Sequence, residues 1–579
     1  MKIHVCGREY LCEDFGQNFR WTLTGEEKEG VTTLSLALDF KEKLRPKKTA
    51  LSFFLPALGA DGCWSACGGV NRVLTPDWGP FTVNSRSVAG IPVLSILSED
   101  DVNVLTASLS DAETPCALKA GYREEDSLLA VTLEWFLDVT ESMTGYRAQI
   151  VIDERRLPFY ECVKEASDRL RKKYGAVNAP PAAHAPAFST WYCFHQNLEY
   201  ERILKECRAA RDLGLETVIV DDGWHTTDNS RGFGYCGDYR PQKEKVGDIR
   251  LLTKEIHSLG LKAMLWYSVA FSGDFSAQSE RFRPLSLYHD GAQNACVLDP
   301  RFPQVREHIW KYCEEAIGDW DFDGLKLDFI DSFRLTQETA ERAGIDCESL
   351  EEGIRRLTEG LKEKLVRIKP DVLIEFRQAY IGPSMQSLGN MLRVGDCPGS
   401  SLQNRVGTID LRLIAGGDGG AAVHTDPLEW NEKETPENIA RAFINVIFST
   451  VQFSVYPSEL TEAQRAVCER YIRFIKEYRS VLQEGEFYPC GVLHNYLAAT
   501  AARENKEVTA IFSDTCVRVK NKEAALLNAG SRYAVIAELP SLYRYRIEDC
   551  MGKSLFFGMA SGLASLPVPV GGIAFLTAV

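Results

Sequence analysis

The 579-residue sequence predicts a multidomain α/β protein in which a central (β/α)8 TIM barrel lies between an N-terminal and a C-terminal β-sandwich. Eight short apolar runs alternate with amphipathic helical patterns over about 290 residues, and eight is the strand count of such a barrel. Short strand-like segments separated by turn residues occupy both ends of the chain and predict the two sandwiches. We expect domains at residues 1–175, 176–482 and 483–579.

The N-terminal part contains strand-like segments such as VTTLSLALDF and LLAVTLEWFLDV, set apart by Gly, Pro, Asp and Asn. Such spacing is typical of an all-β sandwich. A helical pattern over residues 161–174 then leads into AVNAPPAAHAPA, whose Pro and Ala content marks a domain boundary.

The barrel is predicted from runs that are apolar almost without interruption, as parallel strands buried on both faces are. These runs begin at Phe188, Glu216, Leu261, Gly324, Val372, Met391, Ala421 and Phe448. Amphipathic helices are predicted between them, for example over residues 199–215, 306–320 and 350–368, and a last helix over 461–482 precedes the C-terminal strands.

The C-terminal segment 554–579 has no charged residue and is long enough to cross a bilayer. Pro567, Pro569 and the Gly571–Gly572 pair would interrupt a helix there. We therefore expect two short strands, residues 566–570 and 573–578, that close the last sandwich.

Composition excludes several classes of partner. The chain has 66 Lys+Arg and 81 Asp+Glu, a net charge of −15, so we expect neither nucleic acid nor an anionic membrane as a partner. The 17 cysteines form no metal-like pairs, and the N-terminus has no apolar signal segment. These features predict reduced thiols and a cytoplasmic location.

Polar and aromatic residues follow the predicted barrel strands where the strands end. They are Asp221, Asp222, Trp224, Trp266, Asp328, Arg377, Asp396, His424 and Asp426. A charged residue is also an ordinary way to end a buried strand. Because barrel active sites form at the carboxyl ends of the strands, six such strand ends together favour one shared site.

The residue types at this mouth predict a sugar ligand. Carboxylates accept hydroxyl hydrogen bonds, and aromatic faces cover the apolar side of a sugar ring. Glycoside hydrolysis needs two carboxyl groups, and Asp328 and Asp396 are the best-placed pair. The substrate is therefore expected to be a neutral carbohydrate.

The segments ETVIVDDGW, LKAMLW, GLKLDF and RVGD resemble glycoside hydrolase family 36, the melibiase-type α-galactosidases, and more loosely the retaining α-glycosidases of the same clan. The resemblance implies the same order of domains and no cofactor or metal. It implies that Asp328, in Lys326–Leu327–Asp328, is the nucleophile and that Asp396 is the acid/base.

The same resemblance implies sugar-binding roles for the element after the second strand and for the tryptophan after the third. Asp221 and Asp222 would hold sugar hydroxyls with Trp224 beside them, and Trp266 would form a subsite wall. His195, His225 and His424 are expected to be structural or rim residues rather than bases.

The implied mechanism is a double displacement with net retention. Lys326 lies two residues before Asp328 on the same strand face, so it favours the charged carboxylate. Asp396 needs a raised pKa to act as an acid. Arg393 is a weaker candidate, because strand alternation would point it away from Asp396 unless the strand has already ended.

The sequence departs from the family pattern where the sugar would be recognised. Ile330 replaces the family Asn, and Asp331, which follows it, is expected to be a helix N-cap. Arg377 and Gln378 lie where the family has a Cys and a Gly-rich segment, and both are candidate substrate contacts. Arg377 either pairs with Glu375 or another carboxylate, or reaches a substituent of the sugar.

Several alternatives stay open. The same chemistry could act on an α-N-acetylgalactosaminide, an α-glucoside or a modified sugar. The barrel could bind carbohydrate without catalysis, or Asp221, Asp222 and Asp328 could be oxygen ligands of a metal. Since the family often assembles, a homo-oligomer is a further expectation.

Overall fold

The chain begins with twelve strands that form two six-stranded antiparallel sheets. The computed structural model describes residues 1–415, 417 and 419–579. The first twelve strands are β1 (Lys2–Val5), β2 (Arg8–Glu13), β3 (Phe19–Lys28), β4 (Val31–Leu44), β5 (Thr49–Pro56), β6 (Gly62–Trp64), β7 (Phe81–Ser85), β8 (Val93–Leu97), β9 (Asn103–Leu109), β10 (Cys116–Arg123), β11 (Leu128–Trp135) and β12 (Met143–Asp153).

The two sheets share one hydrophobic core. Their strand orders are β1-β2-β5-β11-β10-β7 and β3-β4-β12-β9-β8-β6. Leu36 of β4 and Phe53 of β5 lie in different sheets but in the same cluster of buried side chains. Alternate residues of β4 are buried, which is why VTTLSLALDF has apolar residues at every second position.

The central part contains the eight predicted barrel strands, with one small inserted sheet. Its strands are β13 (Ala187–Ser189), β14 (Thr217–Val220), β15 (Lys262–Ser268), β16 (Phe271–Gly273), β17 (Ser286–Asp290), β18 (Ala295–Leu298), β19 (Gly324–Asp328), β20 (Leu373–Arg377), β21 (Met391–Arg393), β22 (Ala422–His424) and β23 (Gln452–Phe453). β16, β17 and β18 form the inserted sheet. The other eight run parallel in the order β22-β21-β20-β19-β15-β14-β13-β23, and bridges at His424–Thr450 and Leu428–Phe453 nearly close the barrel.

Twelve α-helices lie within the described residues, most of them around the barrel. They are α1 (Phe159–Tyr174), α2 (Trp191–Phe194), α3 (Tyr200–Asp212), α4 (Lys243–Val246), α5 (Ile249–Ser258), α6 (Ser279–Phe282), α7 (Pro303–Gly318), α8 (Leu350–Ile368), α9 (Pro383–Gln386), α10 (Ser401–Ala415), α11 (Pro436–Asn445) and α12 (Glu462–Glu477). α8 has the predicted bounds, because the Ser349 side chain accepts the N–H of Glu352 and fixes the start of an amphipathic pattern.

The last strands form a single eight-stranded sheet with its own core cluster. They are β24 (Glu486–Cys490), β25 (Ala498–Arg503), β26 (Lys506–Ile511), β27 (Cys516–Arg518), β28 (Glu523–Asn528), β29 (Val535–Glu548), β30 (Ser554–Leu566) and β31 (Ile573–Ala578). The predicted strand 573–578 is confirmed, but the one at 566–570 is wrong. The strand ends before Pro567 and Pro569, which cannot donate to a ladder. Within the described residues, no helix has both the length and the apolar character to cross a membrane.

A buried carboxylate joins the three parts of the chain. Asp410 of α10 accepts hydrogen bonds from Trp64 Nε1 at 2.8 Å, Arg72 Nη2 at 2.8 Å and the Tyr496 hydroxyl at 2.5 Å. One continuous core cluster includes Trp64, barrel side chains and Tyr496. The domain boundaries at residues 175 and 482 therefore stay a prediction.

His424 predicts how stability depends on pH. It is fully buried, its Nε2 donates to the Ala183 carbonyl at 2.7 Å, and its Nδ1 accepts from Gln452 at 3.0 Å. Burial lowers the pKa of His424 to about 3. Below about pH 6.5 the unfolded chain binds a proton that the folded chain does not, so stability falls as pH falls.

We expect this histidine to remove about 2 kcal/mol from the free energy of unfolding between pH 7.5 and pH 5. Urea unfolding of wild type and His424→Gln at both pH values measures the difference. The exposed His4 provides the control His4→Gln, which should keep the wild-type pH dependence. If His424→Gln had the same pH dependence of stability as wild type, His424 would not be the source of the loss at low pH.

Candidate active site

Asp328, the last residue of β19, is surrounded by hydrogen-bond donors at the carboxyl end of the barrel. Its Oδ2 accepts from Trp266 Nε1 at 3.1 Å. Its Oδ1 accepts from Arg377 Nε and the Phe329 N–H, both at 2.9 Å, and from the Tyr380 hydroxyl. The side chain is 12% exposed. Burial alone would raise the pKa of Asp328, but Arg377 and Lys326 hold it well below its usual range, so the carboxylate is ionised.

Asp221 and Asp222 follow β14 and lie buried beside this carboxylate. Lys326 Nζ donates to Asp221 Oδ2 at 2.6 Å, and burial raises the pKa of Asp221 although Lys326 opposes the shift. Asp222 accepts from Gln196 Nε2 at 2.6 Å and lies 3.1 Å from His225 Nε2. The two carboxylates are therefore fixed in place by neighbouring donors.

Gly223 allows the chain to turn directly after this carboxylate pair. Its φ is +106°, and a Cβ at this position would lie 2.5 Å from the Cα of Gln196. Only glycine accommodates both conditions. The Asp-Asp-Gly order thus places two carboxylates at the end of one strand.

Asp396 lies in the loop after β21, and its side chain is 53% exposed. Arg393 Nη2 donates to Asp396 Oδ1 at 2.9 Å, and Arg393 Nη1 donates to Asp426 Oδ1 at 2.5 Å. Burial opposes ionisation of Asp396, but Arg393, Arg377 and Lys326 together lower its pKa. Asp396 is therefore the solvent-facing carboxylate of the mouth.

The sequence of this chain is similar to parts of two known glycosidases. No protein-family model matches the chain. It is 24% identical to the α-galactosidase Mel36A of Lactobacillus acidophilus over 199 residues, which are 32% of this chain and 26% of that protein. It is 26% identical to the A type blood α-D-galactosamine galactosaminidase of Flavonifractor plautii over 145 residues, 22% of this chain and 12% of that protein. The aligned region thus spans about a quarter or less of these relatives.

Solved structures match over almost the whole chain. The GH36 α-galactosidase AgaA of Geobacillus stearothermophilus, in complex with raffinose, matches with a TM-score of 0.66 and 16% identity over 99% of this chain and 83% of AgaA. The α-galactosidase of Lactobacillus brevis matches with a TM-score of 0.64 and 13% identity, over 100% and 85% of the two chains. This chain has the fold of glycoside hydrolase family 36.

Two residues that the family 36 resemblance or the strand-end pattern suggested as substrate contacts have other contacts in the structure. Trp224 is 0% exposed, packs on Tyr239 and Trp320, and donates Nε1 to the Trp266 carbonyl at 2.9 Å. Gln378 donates Nε2 to the Ala66 carbonyl at 2.7 Å and accepts the Gly395 N–H at 3.2 Å. We correct the prediction for Trp224, which lies in the core. Gln378 is half-buried and joins the N-terminal part to the Asp396 loop, and its contact with substrate stays a prediction.

Arg393 points toward Asp396, as expected if the strand has already ended, because β21 ends at Arg393 and strand alternation no longer applies. The expectation for the pKa of Asp396 is wrong. The pKa of Asp396 is lowered rather than raised, because this guanidinium contacts it directly.

Arg377, the last residue of β20, forms an ion pair with Asp328 and not with Glu375. Glu375 is buried behind it and accepts from Gln452 Nε2 at 2.5 Å. Trp266 is 1% exposed and touches Asp328 through its Nε1, so it positions the carboxylate rather than forming an open wall.

Sequence reasoning missed Tyr380 and misjudged Asp331. Tyr380 is buried and lies three residues after Arg377. It was missed because the sequence after β20 departs from the family pattern. The short 3-10 helix Ile330–Ser332 has Phe329 at its N-cap, so Asp331 is not the cap. The backbone carbonyl of Asp331 accepts a hydrogen bond from Arg86 Nη2 at 2.6 Å, which connects this loop to the N-terminal part.

Among the described residues, none of His195, His225 and His424 hydrogen-bonds to Asp328, so none is placed as its general base. His225 contacts Asp222, and His424 is fully buried behind the mouth. His195 is half-buried, with its ring 5.1 Å from that of Trp191. The positions of His225 and His424 agree with the structural roles expected from the sequence.

The metal-site alternative has little support in this geometry. Asp221, Asp222 and Asp328 accept from Lys326, Gln196, Arg377 and other side-chain donors, which take the place that a metal ion would need at these carboxylate oxygens. In the part of the chain that the structure describes, the group found with three ligand atoms within 4.8 Å of one another is Asp274, His289 and Cys296, the last two on β17 and β18 of the inserted sheet. Arg283 donates to Asp274 there at 3.1 Å.

Proposed function

We propose that the chain is a retaining α-glycoside hydrolase, α-galactosidase-like, that releases a terminal α-linked sugar through a covalent glycosyl-enzyme. The observation that carries this proposal is the ionised Asp328 at the end of β19, held by four donors in a family 36 fold. The curated relatives are an α-galactosidase and a galactosaminidase, and solved neighbours hold raffinose or stachyose.

In the first step, an Asp328 oxygen forms a bond to the anomeric carbon while the bond to the leaving oxygen breaks. Asp396 gives its proton to that oxygen. In the second step, Asp396 takes a proton from water, whose oxygen attacks the anomeric carbon and releases Asp328. The exposure of Asp396 suits this role, because both the leaving group and water arrive from the solvent side.

The remaining mouth residues position these groups. Asp221 and Asp222 offer acceptor oxygens to sugar hydroxyls. Lys326 orients Asp221, and Trp266 orients Asp328. Arg393 sets the position and charge of Asp396.

A panel of 4-nitrophenyl α-glycosides tests the proposal. The galactoside, glucoside and N-acetylgalactosaminide should be compared, with and without EDTA. We expect turnover of at least one α-glycoside, unaffected by EDTA and absent in Asp328→Asn. Sugar binding without turnover of any α-glycoside would favour the binding-only barrel, and loss of activity in EDTA would favour the metal-site alternative.

We also propose that the chain forms a homo-oligomer through β30. Phe557, Met559 and Leu563 on this strand are 71%, 59% and 76% exposed. β30 pairs with β29 on one edge, and among the described residues its other edge has no strand partner. An uncharged apolar edge strand is a site for pairing with another chain.

Light scattering should therefore give wild type a mass of two or more times 64.8 kDa, and Phe557→Asp/Leu563→Asp a mass of 64.8 kDa. Leu58→Asp, at a 99% exposed site in the N-terminal part, is the matched control and should keep the wild-type mass. A monomeric wild type would contradict this proposal.

We keep a cytoplasmic location as a proposal, supported by the 17 free thiols.

A further inference from the structure

We propose that Arg377 selects α-glycosides that carry an anionic substituent, a carboxylate or a sulfate ester, beside the scissile bond. The inference rests on the proposed hydrolase function and names its substrate class. It replaces the neutral sugar expected from the sequence.

Arg377 is held rigidly at the mouth. Its Nε is 2.9 Å from Asp328 Oδ1, and its Nη1 donates to the Gln378 carbonyl at 3.2 Å. Its guanidinium carbon lies 5.2 Å from the centre of the Tyr380 ring and 5.8 Å from that of Phe329. Within the described residues its Nη2 has no hydrogen-bond partner, and the side chain is 20% exposed. A donor is therefore available next to the nucleophile.

Arg377 differs from the other cations of the mouth in its counter-charge. Lys326 pairs with Asp221, which takes no part in bond formation. Arg393 pairs with Asp426 as well as Asp396. The one carboxylate within ion-pair distance of Arg377 among the described residues is Asp328, the proposed nucleophile.

This pairing has a chemical consequence during the proposed reaction. When Asp328 forms an ester with the sugar, it becomes neutral, and Arg377 loses the carboxylate that contacts it; Asp396 and Asp331 act on Arg377 only from beyond ion-pair distance. A largely buried cation without a contacting counter-charge is unfavourable. A carboxylate or sulfate on the substrate would supply the missing charge and pair bidentately with a guanidinium.

The same arrangement disfavours a cationic sugar. An ammonium group, as on a galactosamine residue, would meet like charge at Arg377. An anionic substituent would also offset one of the cations that lower the pKa of Asp396 and thereby favour its acid form. A negative charge on the substrate would thus promote acid catalysis by Asp396.

The test compares matched 4-nitrophenyl α-glycosides in galacto and gluco configuration: the neutral sugar, its C6 carboxylate and its 2-O-sulfate. We expect wild type to prefer an anionic member by about tenfold or more in kcat/KM. Arg377→Gln should reduce the ratio of anionic to neutral kcat/KM by about 100-fold, and Arg377→Lys by less. The carboxylate and sulfate arms distinguish the two sources of charge.

Arg334→Gln is the matched control, because Arg334 is an exposed arginine in the loop after β19 that contacts the Tyr288 ring and no mouth residue named above. It should keep the wild-type ratio. Calorimetric binding of galacturonate and galactose gives a readout that needs no turnover, and melting curves check folding of each variant.

The outcomes separate the two proposals. Preference of wild type for the neutral glycoside, equal binding of the two free sugars, or an unchanged ratio in Arg377→Gln would overturn the inference alone. Tighter galacturonate binding that depends on Arg377, without hydrolysis of any α-glycoside, would overturn the hydrolase proposal and support the inference.

Discussion

Asp328→Asn is expected to lower kcat for an activated aryl α-glycoside by about 10³-fold or more, because an amide cannot form the glycosyl ester. The substitution keeps the volume of the side chain and an oxygen that can accept from Trp266 Nε1. Initial rates of 4-nitrophenolate release, with circular dichroism and melting curves of the same preparations, measure the effect.

Asp331→Asn provides the matched control for this variant. Asp331 lies three residues away in the same loop and also near Arg377, but it ends no strand. It should retain most of the wild-type rate. Substantial turnover by Asp328→Asn, or an equal loss in Asp331→Asn, would refute the nucleophile assignment.

Asp396→Ala is expected to reduce hydrolysis of a natural oligosaccharide by about 10²–10⁴-fold. An aryl glycoside with a good leaving group needs little protonation, so its first step should suffer far less. Azide, a small anion that needs no base, should restore release of the sugar as a glycosyl azide. The measurement is kcat/KM for both substrate types, with and without azide.

Equal losses on both substrate types, with no effect of azide, would contradict the acid/base role of Asp396. The lowered pKa of Asp396 makes this test informative. In the free enzyme the positive charges of Arg393 and Arg377 favour the ionised form of Asp396, so the proposed acid form depends on what the substrate adds.

The sequence predicts the barrel well because buried parallel strands are apolar without interruption. It also predicts that Asp221 and Asp328 meet at one mouth, since β14, β15 and β19 are paired in parallel register. These inferences need only local patterns and the rule that strand ends converge.

The remaining features depend on contacts that no local pattern encodes. Gln378 bonds to Ala66, 312 residues earlier, so its role could not be inferred from its neighbours. Trp224 lies in the core directly after Gly223, whose positive φ turns the chain beyond the end of β14. Arg393 contacts Asp396 only because the strand stops between them.

The most direct test of the central claim is to trap the glycosyl-enzyme with a 5-fluoro glycosyl fluoride and to sequence the modified peptide by mass spectrometry. The account predicts one sugar on Asp328 and none on Asp331, which the same peptide contains. It also predicts that the first product observed by NMR keeps the α-configuration. A label on another residue, or a first product of inverted configuration, would contradict the account.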